Sequence, residues 1–171
     1  MSDVFEDNEA MTFARMRLWR LIELTYSLDW LLLTKRPKNF QRMLPNEWRE
    51  TPLENVWLGV SVENQEYADK RIPLLLQTPA AVRFVSYEPA LDGVHVENHF
   101  RSVYVRGKKV GDDYHPRIHL FICGSESGPN ARPMDLAWAR SARDQCKAAG
   151  VAFFMKQITD SHGRKIPFDQ W

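Results

Sequence analysis

Val56-Trp57-Leu58-Gly59-Val60-Ser61-Val62-Glu63-Asn64 is the stretch on which the fold turns. An apolar run, 56–60, leads directly into polar residues, and Asn64 stands where it can cap a following helix. Continuous rather than alternating hydrophobicity reads as a strand covered on both faces, as parallel strands are. The same plan recurs on either side. Trp30-Leu31-Leu32-Leu33 opens onto Thr34-Lys35-Arg36-Pro37, and Val82-Arg83-Phe84-Val85 onto Ser86-Tyr87-Glu88-Pro89. Leu120-Phe121-Ile122-Cys123 leads into Gly124-Ser125-Glu126-Ser127-Gly128, and the run 151–155 into Lys156-Gln157.

Helical patterns separate these runs. Met11, Ala14, Leu18, Leu21 and Ile22 share one helical face, with Arg15, Arg17, Arg20 and Glu23 on the other. Asn64 caps a second helix through Arg71 that Pro73 is expected to break or restart before Leu74-Leu75-Leu76. Asp135 caps a third, with Leu136, Ala139, Cys146 and Ala149 facing inward and Gly150 as its stop. Strands alternating with helices predict an α/β fold: a parallel sheet forming a partial TIM-type barrel of about five βα units. One segment breaks the rhythm. Residues 94–119 show alternation and turn chemistry, which predicts a β-hairpin insertion with a basic tip. Residues 158–171 read as an irregular tail pinned by Ile166, Phe168 and Trp171, within a single domain spanning 1–171.

The chain has 171 residues, 44% hydrophobic and 26% charged, enough apolar stock for a core. Global disorder is thereby excluded. A formal net charge of +1 supplies no summed field for non-specific binding to nucleic acid or an anionic membrane, so any such binding needs a local patch. No apolar run approaches the ~18 residues of a membrane span, and the acidic start is unlike a signal peptide. The expectation is a cytoplasmic chain without membrane contact. The two cysteines, Cys123 and Cys146, form neither a disulfide framework nor a four-ligand zinc site, and read as buried thiols.

In parallel α/β folds ligands bind at the carboxyl ends of the strands. The residues after the five runs put Lys35, Arg36, Glu63, Glu88, Glu126, Lys156 and Gln157 at that end. Three carboxylates facing several cations suit an amino acid, a nucleotide or a metal; a salt-bridge network closing the sheet is the plainer reading. Gly124, Ser125, Ser127 and Gly128 form a loop whose N–H groups can make an anion or ribose site with Arg132, although Glu126 within it disfavours a bare phosphate. The pairs His95/His99 and His115/His119 are spaced i,i+4, which on strands places them roughly 13 Å apart, so no metal site is expected. Arg101, Arg106, Lys108, Lys109 and Arg117 make the hairpin locally basic, an interaction element for an acidic protein surface or a nucleic acid backbone.

The three strand motifs 30–37, 56–65 and 82–89 resemble a phage protein family of unknown function that carries a three-cysteine motif. Gly124-Ser125-Glu126-Ser127-Gly128-Pro129, Ala131-Arg132-Pro133-Met134, Asp144-Gln145-Cys146 and Phe153-Phe154-Met155-Lys156-Gln157 agree in order, over about 1–157. The resemblance implies a radical-SAM-like barrel whose amino-terminal part holds an iron–sulfur cluster. Residues 1–7 resemble an internal stretch of longer members, which implies that the first barrel strands and the cysteine motif are absent here. Without closely spaced thiolates no cluster is held, so no cofactor and no S-adenosylmethionine cleavage are expected. Ser125 stands where the family has Gly, and Tyr87 where it has a small aliphatic residue. The resemblance and these departures together imply a truncated barrel acting as a non-catalytic protein-binding module. Its finer form is an inhibitor of a host defence or nuclease complex in the host cytoplasm. The alternative is an enzyme or enzyme subunit binding a nucleotide-like ligand at the strand ends. Open sheet edges beside 30–34 and 151–155 invite a homodimer or another protein partner.

Overall fold

The computed structural model describes residues 3–100, 116–128, 130–159 and 164–167. Each of the five apolar runs is a strand: β1 (Trp30–Thr34), β2 (Val56–Val62), β3 (Val82–Tyr87), β4 (Leu120–Gly124) and β5 (Ala152–Gln157). All neighbouring pairs are parallel and the order is β1-β2-β3-β4-β5. Sequential order means that every crossover steps the same way, and right-handed crossovers then carry all their helices to one face, the winding of a barrel arc. The paired register identifies that face. Leu32, Leu58, Val60, Val85, Phe121 and Met155 belong to the contiguous core. Leu31, Leu33, Trp57, Phe84, Ile122 and Phe154, which alternate with them, do not.

The helical layer comprises α1 (Glu9–Leu24), a 3₁₀ turn (Pro37–Asn39), α2 (Phe40–Met43), α3 (Asn46–Glu50), α4 (Gln65–Gln77), α5 (Glu97–Phe100) and α6 (Leu136–Ala149). Side chains cap α1, α4 and α6 at Asn8, Asn64 and Asp135, and Gly150 closes α6 in the left-handed conformation that glycine adopts without penalty. Core packing on this side is aromatic: Phe5 meets Phe40 edge to face at 4.7 Å, and Trp19 meets Trp48 at 5.2 Å.

Several local expectations are corrected. The buried residues of α1 are Arg15, Trp19 and Ile22, while Leu21 and Leu24 face solvent, so the helix is turned from its apolar stripe. The reason is the segment before it. Its carbonyls need donors, and the Arg15 guanidinium supplies them at Val4 (2.9 Å) and Glu6 (3.4 Å) while Phe5 enters the core. Pro73 does not break α4, which is continuous through it; proline forfeits one backbone bond there, and burial of Ile72, Leu75 and Leu76 outweighs that loss. In α6 the buried face is Ala139, Ala142, Gln145 and Cys146, with Ala149 exposed. Gln145 is buried because its amide clamps the chain, donating to Val94 O and accepting from Val96 N. Within the expected hairpin 94–119, Glu97–Phe100 is a helical turn bonded back to Val96, so His99 lies on a helix rather than a strand. Arg101, Arg106, Lys108, Lys109 and His115 lie outside the described residues, as do Phe168 and Trp171. Ile158 is buried and accepts a bond from Ile166 N, which anchors the described part of the tail.

Candidate functional site

The carboxyl ends of the strands gather the expected charges into pairs. Glu63 follows β2 and Glu88 follows β3, each one residue beyond the Val62↔Tyr87 pair, so the two carboxylates leave adjacent strands at the same level. Glu63 is 6% exposed. Its Oε2 accepts from Arg71 Nη1 at 2.9 Å, and Lys35 Nζ lies 2.6 Å from its Oε1 as an ion pair without hydrogen-bond alignment. Arg71 also donates to Ser61 O at 2.7 Å and lies 4.0 Å from the Tyr67 ring centroid, so a buried carboxylate meets a fixed guanidinium and a mobile ammonium.

Glu88 reaches in the other direction. Its Oε2 accepts from Lys156 Nζ at 2.9 Å, a pair that joins β3 to β5 across β4. Gly124 ends β4, and a Cβ there would lie 3.1 Å from Glu88 Oε1, so glycine leaves the carboxylate its room. A cis peptide bond joins Glu88 to Pro89, and the chain beyond it ties the edge together: Ala90 N donates to Gly124 O and Leu91 N to Glu63 O.

The other predicted site residues divide. Arg36 turns away from this row and pairs with Asp3 at 3.1 Å and Glu6 at 3.0 Å, pinning the amino-terminal segment. Glu126 is held in its own loop by Arg132, whose Nε and Nη2 donate at 2.8 and 2.9 Å and whose backbone N adds a third bond. These bonds hold the Glu126 carboxyl down at about 2. Thus Arg132 neutralises Glu126 within the loop instead of adding positive charge to an anion nest. Gln157 Nε2 donates to Ser125 O, and the Ser125 hydroxyl is fully buried without a hydrogen-bond partner. Ser127 and Gly128 are exposed, as is Arg117.

Arg71 is a member of this site that strand-end reasoning passes over, because it comes from the second turn of α4. Its signal is the spacing: an arginine eight residues after a strand-end glutamate, with an Asn cap between, returns along the helix to that carboxylate. Cys123 and Cys146 are buried, and burial pushes both thiols up to about 12. Such thiols are poor nucleophiles at neutral pH. Among the described residues no group of three or more His, Cys, Asp or Glu is placed to hold a metal ion. No described helix is long and apolar enough to cross a membrane.

Fold and edge together define a singly wound parallel α/β domain with a charge-paired carboxyl edge. The model of the family described as protein of unknown function (DUF5131) matches residues 1–166, and the chain belongs to that family. No curated protein and no solved structure matches it.

Proposed function

We propose that the chain is a non-catalytic protein-binding module that engages its partner through the flank formed by β1 and α1. The observation that carries this is the state of β1. It is one of the two edge strands of the described sheet, with Leu31 and Leu33 exposed at 47% and 38%. In the helical layer α1 exposes Phe13, Leu21 and Leu24, and a shallow groove of about 560 Å³ runs along Leu18, Leu21, Arg17 and Arg20. An open strand edge and an exposed apolar helical stripe are the kinds of surface onto which another strand or helix adds. A second copy of the chain is the favoured occupant, because an isologous contact needs only one such surface. The strand-end carboxylates support binding over acid–base catalysis: Glu63, Glu88 and Glu126 are each committed to a cation. The finer form of this reading is a truncated radical-SAM-like barrel of phage origin turned against a host complex; the sequential parallel strand order is compatible with the barrel part of it and does not bear on the origin or the target.

Light scattering on the purified chain at micromolar concentration tests it. Twice the monomer mass, reduced to the monomer by the double substitution Leu31→Lys, Leu33→Lys, is expected. A monomer that captures no second copy, or a dimer indifferent to both lysines, contradicts it.

A second reading, binding of a small zwitterion or nucleotide-like ligand at the carboxyl edge, is favoured by one observation. The side chains of Lys35 and Lys156 are 55% and 53% exposed over carboxylates that are 8% and 19% exposed, so both ammonium groups can swing onto a ligand. Gly124→Ala, which crowds Glu88, is expected to weaken such a ligand while leaving the mass unchanged.

A further inference from the structure

A groove of about 430 Å³ lies in the helical layer, between the 3₁₀ turn, α2 and α3 on one side and the end of α4 on the other. We propose that it is a binding site for a small organic phosphate of nucleoside-monophosphate size. Small-molecule sites span roughly 300–1,000 Å³, so the groove holds more than an inorganic ion. Lys38 and Arg49 line it, and neither makes an ion pair with a described residue. That contrasts with the carboxyl edge, where Lys35, Arg71, Lys156 and Arg132 are all matched to carboxylates.

Arg49 is held within its own helix. Its Nη2 donates to Asn46 Oδ1 within α3, while its Nε is buried with no acceptor. A guanidinium beside an ammonium suits a phosphate dianion. Leu74 and Pro79 give the groove an apolar wall on which a ring can lie, and the exposed amides of Gln41 and Gln77 can bond its edge. Among the described residues no acidic side chain lines the groove to compete. The inference is independent of the protein-binding reading, since the groove belongs to the crossovers around β2 and not to the β1 edge.

The test is a titration of the full chain, followed by amide chemical shifts, with adenosine monophosphate, adenosine and inorganic phosphate in separate arms. Adenosine monophosphate is expected to give saturable shifts at Lys38, Gln41, Arg49 and Gln77, with adenosine and phosphate each weaker by about tenfold or more. Lys38→Glu, an exposed change that leaves the fold intact, is expected to lower the affinity by at least about tenfold, and Arg49→Gln by a similar factor. The proposal is overturned by absence of binding up to about 10 mM, by shifts centred on Lys35 and Lys156, by adenosine or phosphate binding as well as the nucleotide, or by Lys38→Glu without effect.

Discussion

The two faces of the one sheet are built to different ends. On the helical face Leu58, Val60, Val85 and Phe121 are at most 2% exposed and knit into a single core with Trp19, Trp48, Ile72 and Cys146. On the opposite face only the centre is closed. Phe84 lies across Gly59 so closely that a Cβ there would sit 2.3 Å from the ring, and Ser61 and Ser86 are buried beside it. Toward the rims that face opens, with Leu31 and Leu33 on β1 and Phe154 on β5 exposed. One face therefore holds the fold together, while the rims of the other are apolar without contributing equally to stability. An apolar side chain left in water is a cost that only a later contact recovers.

The difference can be broken most directly with truncations. Leu58→Ala is expected to cost about 2–5 kcal/mol in urea unfolding, since its space cannot be refilled in a packed core. Leu33→Ala, a similar chemical change one strand over on the open face, is expected to cost less than about 1 kcal/mol in the monomer. Equal losses would mean that the two faces are energetically alike. Next in size is Gly59→Ala, expected to cost about 1–3 kcal/mol because Phe84 must leave its seat. Adding Phe84→Leu should return part of that loss, and additive losses would show that the ring over Gly59 is not the obstacle.

A smaller effect distinguishes the faces by pH. His119 sits before β4, and its Nδ1 accepts from the backbone N of Arg83 on β3. Burial first, and then the Arg117 and Arg83 charges, lower its pKa from 6.5. Because the folded value lies below the unfolded one, the stability tied to neutral His119 is complete above pH 6.5. It is lost as the pH falls from there toward the folded value, since the unfolded chain takes up the proton first. Unfolding free energies of wild type and His119→Gln measured between about pH 7 and pH 5 should converge as the pH falls. Parallel curves would show that His119 carries no such stability.

How far the sequence carries is itself uneven between these regions. All five strands are legible, within two residues at their ends, because continuous apolar runs followed by polar residues survive any detail of packing. So are Asn64, Asp135 and Gly150 as helix boundaries, since capping is a local matter. The rotation of α1 is not legible. Its apolar stripe is real, but Arg15 is drawn inward by carbonyls that belong to a segment about ten residues earlier. The crossover of three short helical pieces between β1 and β2 has no apolar period long enough to announce it. Continuous hydrophobicity also predicts two covered faces for every strand, and this fails at β1 and β5, where position in the sheet decides exposure. At the carboxyl edge the gathering of Lys35, Glu63, Glu88 and Lys156 follows from parallel strands, but which cation meets which carboxylate does not. The diversion of Arg36 to Asp3 and Glu6 depends on tertiary contacts that no strand-end pattern contains.

If the open flank of β1 is a contact surface, amide hydrogen exchange reads it residue by residue. Trp30 N donates to Asn55 O, so the alternating N–H groups of Leu32 and Thr34 also face β2, while those of Leu31 and Leu33 face outward. In a chain that pairs along this edge, Leu31 and Leu33 gain protection as the concentration rises into the micromolar range, and lose it in the Leu31→Lys, Leu33→Lys chain. Leu31 and Leu33 amides that exchange as freely as an open strand edge at every concentration and with every candidate partner, while Leu32 and Thr34 remain protected, would contradict a binding role for this flank.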